Sequence, residues 1–164
     1  MRITTRGRYA LRASLALAKL SSQKEEGDVQ ENQGAPHPVS ISTLSAEENV
    51  SSVFLEQIFF RQKKAGIVKS IRGPGGGFCF AQPLQEITVK QILEASGEDL
   101  DITFCDKSND DCERIGECLS HQVWVKASEL VKNYFSQITL SSILDKFDME
   151  KYGKATNPES EKHG

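Results

Sequence analysis

The stretch Ser51–Phe80, "SSVFLEQIFFRQKKAGIVKSIRGPGGGFCF", changes its period halfway along. In the first half Phe54, Leu55, Ile58 and Phe59 recur at helical spacing, and Ser51 or Ser52 offers an oxygen to the free amides of a helix start. The helix should run to Ala65 and stop at Gly66. Its outer face then carries Val53, Glu56, Gln57, Phe60, Lys63 and Lys64. In the second half Ile67, Val68 and Ile71 precede a glycine-rich tip, and Phe78, Cys79 and Phe80 follow it, as in two short strands of a hairpin. Upstream, "ISTLSAEENV" (Ile41–Val50) supplies a short helix capped by Ser42. Asn49 falls where the chain must turn, and Asn tolerates the left-handed conformation. A short helix, a tight turn, a second helix with a polar basic outer face and a hairpin make a winged helix-turn-helix. The fold class is mainly α with a small β wing. "GPGGG" is no phosphate cradle, because a strand and Pro83 follow it where a helix would be needed.

Outward from this unit, Thr4 or Thr5 caps a first helix reaching about Leu20, with Tyr9, Ala13, Ala16, Leu17 and Leu20 as its buried stripe. Residues 21–40 are polar, hold Gly27, Gly34, Pro36 and Pro38, and read as a flexible loop. "ITVKQILEASG" is a further helix packing back on the domain. A long helix begins near Ser120, with Val123, Ala127, Leu130, Val131, Tyr134 and Ile138 on one stripe that Trp124 and Phe135 widen. So broad an apolar face needs more than one partner, and a second copy in a homodimer provides one. The expected organisation is a DNA-binding domain at 1–97, a ligand-bearing loop at 98–120, a dimerisation helix region at 121–147 and a disordered tail at 148–164.

Charge is divided unevenly. Residues 1–80 hold 11 Lys/Arg against 7 Asp/Glu, a balance of +4, and residues 81–164 hold 9 against 16, a balance of −7. Arg2, Arg6, Arg8, Arg12 and Lys19 form one acid-free patch, and Arg61, Lys63, Lys64, Lys69 and Arg72 another. Both suit a polyanion. No apolar run reaches the roughly 18 residues of a membrane span, and Arg12 and Lys19 interrupt the N-terminal apolar stretch, so a cytoplasmic protein with reduced thiols is expected.

Three of the four cysteines gather in "FCDKSNDDCERIGECLSHQVW" (Phe104–Trp124), spaced Cys105-x6-Cys112-x5-Cys118-x2-His121. Structural zinc sites usually pair cysteines two to four residues apart, whereas an iron–sulfur cluster tolerates longer gaps. Spacing leans to a cluster and leaves zinc and free thiols open. Cys79, between two phenylalanines of the wing, is a packing residue.

On the recognition helix, Ser51 and Ser52 suit a phosphate or a base edge, Gln57 suits adenine and Glu56 suits the amino group of cytosine. Arg72 stands where an arginine enters a narrow minor groove. Arg2, Arg8, Arg61 and Lys64 belong to the basic surface that meets phosphates.

"MRITTRGRYALRA", "FLEQIFFRQKKAGIVKSIRGPGGGF" and "CLSHQVW…ITLSSIL" closely resemble the IscR-type iron–sulfur cluster regulators, part of a family of bacterial winged-helix repressors that includes NsrR. The resemblance spans about residues 1–147. It implies a homodimer on double-stranded operator DNA, meeting RNA polymerase only indirectly through promoters, and a [2Fe-2S] cluster that adjusts cluster-assembly genes. By matching position it implies Cys105, Cys112, Cys118 and His121 as ligands, and Ser51, Val53, Glu56 and Gln57 with Arg72 as DNA readers. The chain departs from that pattern in a first ligand gap of six residues rather than five, a longer 21–40 loop, Asn49 for a turn glycine, Val53 for a serine and Phe60 for a small polar residue. A nitric-oxide or redox-sensing iron–sulfur repressor is the alternative function, although Arg8 stands where that branch has a ligating aspartate. An iron–sulfur carrier or electron-transfer protein would leave the helix-turn-helix, wing and basic patches idle.

Overall fold

In the computed structural model, residues 1–23, 37–103 and 117–152 are described, the side chains of Gln23 and residues 147–152 excepted. The described elements are α1 (Thr5–Gln23), α2 (Ile41–Glu48), α3 (Ser52–Lys64), β1 (Val68–Ile71), β2 (Gly77–Phe80), α4 (Val89–Ala95), α5 (Leu119–Gln137) and α6 (Leu140–Tyr152). Helices α2 and α3 with the antiparallel β1–β2 hairpin are the expected winged helix-turn-helix, and α1 and α4 pack behind them.

Local chemistry sets most boundaries. Ser51 caps α3, its hydroxyl accepting from the Phe54 amide at 3.3 Å, and Gly66 ends the helix with φ 74°. The cap of α2 is Ser40, whose hydroxyl accepts from the Thr43 amide at 3.1 Å, and not the expected Ser42. Ser40 is extended there (φ −70°, ψ 152°), so the helix has already begun when Ser42 is reached. Helix α1 continues to Gln23, past the expected end.

The polar run read as a loop from 21 to 40 also ends early. Val39 is buried and exchanges both backbone hydrogen bonds with Phe78, each 2.8 Å. This bridge brings the chain so close to Gly77 that an added Cβ would meet the Val39 carbonyl oxygen at 2.2 Å. Residues 24–36 of that run lie outside the described residues.

The core joins the inner faces of all these elements. Ala10, Ala13 and Leu17 of α1 meet Leu44 of α2, Leu55, Ile58 and Phe59 of α3, Ile92 of α4 and Leu140 of α6. Phe59 stacks on Phe78 of the wing with ring centroids 5.0 Å apart. A second cluster, Val89, Leu93 and Leu100, receives Phe135 from α5 and Ile138 from the break after it.

The region 121–147 is two helices. Ile138 turns extended (φ −96°, ψ 115°), and its carbonyl accepts from the Val89 amide at 2.9 Å while the Leu140 amide donates to Ile87 at 2.9 Å. The backbone groups freed by the break thereby find partners in the segment before α4. Helix α6 then runs through residue 148 to Tyr152, into the segment expected as tail; residues 153–164 lie outside the described residues.

The start of α1 is fastened to the chain after α4. Glu98, buried, accepts from the Thr4 amide at 2.9 Å and from the Thr4 hydroxyl. Gly7 makes room for it, because a Cβ there would lie 2.7 Å from the Glu98 carboxyl carbon. The Arg6 side chain donates to the Ser96 carbonyl at 2.6 Å, and the N-terminal ammonium to the Ile102 carbonyl at 3.1 Å. Glu98→Ala should lower unfolding stability by about 1–3 kcal/mol, the cost of leaving buried donors unpaired. Urea denaturation checks it, and Glu98→Gln, which keeps one acceptor oxygen, should lose less.

Candidate nucleic-acid interface and candidate cluster site

Two features aim α3. The turn before it is made by Asn49, left-handed at φ 52°, ψ 48°, the one non-glycine residue with positive φ among those described. The turn is closed by the Ser45 hydroxyl, which donates to the Val50 carbonyl at 2.6 Å. The second feature is Gln62, fully buried on the inner face of α3. Its amide donates to the Ser14 hydroxyl at 2.9 Å and to the Ala10 carbonyl at 3.4 Å. Gln62 follows Ile58 and Phe59 by four and three residues, so its inward placement was readable from the helical period.

With that face buried, Val53, Glu56, Gln57, Phe60, Arg61 and Lys64 are exposed, and all six border one open groove between α3 and Ser70 and Phe78 of the wing. Lys63 is drawn to the wing, its ammonium donating to the Ser70 hydroxyl at 2.6 Å. Arg61 leans, with Arg6, toward Gly97, where a Cβ would lie 3.7 Å from its guanidinium. Ser51 and Ser52 are exposed at the α3 start, and Arg72 is exposed just after β1, at the base of the tip. Arg2 and Arg8 border a separate depression with Ile3, Thr4 and Thr5, and Arg8 donates to the Thr5 hydroxyl at 3.3 Å.

Of the four candidate ligands, Cys118 and His121 are described, and Cys105 and Cys112 lie outside the described residues. Cys118 is the N-cap residue of α5 and its sulfur makes no capping hydrogen bond; the Ser120 hydroxyl lies 3.1 Å away. His121 sits in the first turn, its amide donating to the Cys118 carbonyl at 3.1 Å. The His121 Nδ1 atom is buried and has no hydrogen-bond partner among the described residues. Buried ring nitrogens nearly always have one, so this atom is open to a partner through its lone pair or its proton. A thiol and an unpaired imidazole nitrogen one turn apart at a helix N-terminus suit a soft, anionic metal–sulfur group, and this half of the donor set fits a cluster. Among the described residues no three potential ligands converge. Cys79 is buried in β2, and burial pushes its thiol upward against the opposing pull of the Lys69 ammonium, as suits packing.

The broad stripe expected on α5 is partly covered by the chain itself: Ala127, Val131, Phe135 and Ile138 are half-buried. Val123, Leu130 and Tyr134 are exposed, with Leu119 at 89%. The buried side of the helix carries Ser128, whose hydroxyl accepts from the Ile102 amide at 2.9 Å, and Lys132 pairs with Asp101 at 2.5 Å. Phe135, with Ile138 just past the helix, packs on the Val89, Leu93 and Leu100 cluster.

The sequence model of Rrf2, an iron-dependent transcriptional regulator, matches residues 3–146. A candidate HTH-type transcriptional regulator of Neisseria meningitidis is 37% identical over 145 residues, 88% of each chain. The HTH-type transcriptional regulator IscR of Serratia proteamaculans is 36% identical over 149 residues, 91% of this chain and 82% of that one. Among solved structures, CymR, the global cysteine regulator of B. subtilis, matches with a TM-score of 0.66 at 25% identity, covering 89% of this chain and 98% of its own. T. potens IscR matches with a TM-score of 0.66 at 25% identity, covering 96% and 94%.

The turn at Asn49 gives a direct check on the aiming of α3. Asn49→Ala should cost roughly 1 kcal/mol of stability, the strain of a left-handed residue with a Cβ and no local hydrogen bonding, whereas Asn49→Gly should keep the wild-type value. Thermal denaturation of the two variants measures the difference.

Proposed function

Since this chain belongs to the Rrf2 family of transcriptional regulators, we propose that it binds operator DNA as a homodimer under the control of an iron–sulfur cluster. The cluster is a [2Fe-2S] group held by Cys105, Cys112, Cys118 and His121, and cluster-assembly genes are its targets. The observation that carries the cluster is the pairing of Cys118 with the unpartnered His121 nitrogen at the head of α5. When bound, the cluster supplies a redox-sensitive group that can be gained and lost. The chain's relatives are transcriptional regulators rather than enzymes.

In this reading the exposed α3 face enters the major groove. Ser51 and Ser52 meet a phosphate or a base edge at its start, Gln57 pairs with adenine and Glu56 accepts from cytosine. Val53 lies beside them on the same face. Arg72 enters the minor groove, and Arg2, Arg8, Arg61 and Lys64 meet phosphates. The apolar side of α5 meets the same helix of a second copy. The protein acts in the cytoplasm and reaches RNA polymerase only through the promoters it occupies.

Coupling runs through residues 98–103. Glu98 and Ile102 are tied to the start of α1, while Ile102 and Asp101 are tied to Ser128 and Lys132 of α5. Cys105 follows this clasp directly, so drawing Cys105 and Cys118 together loads the contacts that hold α1 beneath α3. Retention of the cluster thereby biases which operators are bound.

Iron and sulfide analysis of protein purified without oxygen tests the cluster. Two irons and two sulfides per chain are expected, lost in His121→Ala with the fold retained. Four irons would transfer the reading to a nitric-oxide-sensing repressor, and no iron after reconstitution would overturn cluster control. Arg72→Ala should weaken operator binding by about 1–3 kcal/mol at fixed salt and leave iron content unchanged. Unaltered affinity would refute the wing's role.

A further inference from the structure

The recognition face carries more apolar surface than a helix bathed in water needs. Val53 is 65% exposed and Phe60 is 69% exposed. An isolated exposed apolar residue calls for no explanation, but these two share one stripe. They are seven residues apart, so they fall within about 20° of each other around the helix and about 10.5 Å apart along it. Glu56 and Gln57 flank the same stripe, and Lys64 continues it. Packing does not account for Phe60, because the core site at this level is filled by its neighbour Phe59, fully buried against Phe78.

The surroundings identify the occupant. The groove bordered by Val53 and Phe60 is rimmed by Arg61, Lys63 and Lys64, and Lys69 and Arg72 stand exposed on the adjoining wing. Among the described residues, Glu56 is the one acid on the groove. A polyanion matches that rim, and within the major groove one base offers an apolar feature, the 5-methyl group of thymine. We infer that Val53 and Phe60 are apolar base readers, each packed on the 5-methyl group of a thymine, the two thymines roughly three base-pair steps apart.

This rests on the proposed reading that α3 enters the major groove, and adds to it what the two apolar residues select. Gln57 between them suits adenine, so the three side chains together favour an A·T-rich half-site. Discrimination against cytosine follows from the same contact. A phenyl ring or isopropyl group placed over its amino group removes water from that donor and offers no acceptor in return. Serine at position 53, or a small polar side chain at position 60, would lack this preference.

The test uses full-length protein and duplexes that it selects from a random pool. Each thymine of the selected site is replaced in turn by deoxyuridine, which keeps every hydrogen-bonding group and lacks the methyl. Binding should weaken about fourfold at each of two positions in each half-site, the loss expected for one methyl group returned to water. Phe60→Ser should become indifferent to uridine at one of these positions and Val53→Ser at the other, each keeping its sensitivity at its partner's position. Both side chains lie outside the core, and an unchanged melting temperature verifies that the variants are folded. The inference is overturned if uridine costs the wild type nothing, or if the cost persists in both variants, which would place it in duplex flexibility. It is also overturned if Phe60→Ser leaves site selection intact and alters self-association, which would make the face a protein contact. Failure to select any duplex would instead sink the DNA-binding reading itself, and the inference with it.

Discussion

The contact on which the interface depends is the close packing of α3 on α1. Ala10 and Ala13 leave so little side chain on α1 that Gln62 of α3 reaches the α1 backbone and Ser14. A buried amide is a poor source of net stability, since its hydrogen bonds only replace those to water, and its Oε1 atom has no partner among the described residues. What the amide contributes is an angle. Leu55, Ile58 and Phe59 would pack acceptably over a range of helix rotations, whereas the amide meets Ser14 and Ala10 in one. That angle decides which side chains face outward, and with 3.6 residues per turn a shift of one position would replace Val53 and Gln57 by neighbours of different chemistry.

A second set of polar contacts performs the same service for α5. The Ile138 and Leu140 backbone groups pair with Val89 and Ile87, and Ser128 and Lys132 hold the segment containing Asp101 and Ile102. Residues 98–102 therefore sit between two bodies, clasped by the N-terminus of α1 on one side and by α5 on the other. Cys118 heads α5 itself. The cysteine-bearing segment therefore starts and ends on structure tied to α5.

The helix-turn-helix and wing were legible because periodicity and turn chemistry agree there: apolar residues every three or four positions, then a tip of four glycines around Pro74. The features that escaped are those set by distant partners. Ser40, Ser42 and Thr43 all offer hydroxyls, and choosing the cap needs the backbone angle of Ser40. Val39 stands alone in a polar run, and its burial comes from a bridge to Phe78 that no local pattern encodes. The break at Thr139 carries no glycine or proline, and Ile138 continues the apolar stripe, so a tertiary bridge between Thr88 and Thr139 had to supply the stop. At the candidate site the exposed α3 residues and Arg72 follow from the sequence. Which part of the broad α5 stripe its own chain covers, and the burial of Ser128 beside it, do not, because the partners are residues 89–102, distant in sequence.

The uncovered side of α5 carries Leu119, Val123, Leu130 and Tyr134, an apolar patch of the kind that marks a contact surface. In the proposed homodimer the cover is the same helix of the second copy, which matches it by symmetry without further specification. The exposed apolar side begins at Leu119, between Cys118 and His121 in the chain. His121 lies two positions beyond Leu119, about 200° around the helix, on the side that carries the buried Ser128 and away from the apolar side. In the proposed dimer the covered apolar face and the His121 ring would therefore use opposite sides of one helix.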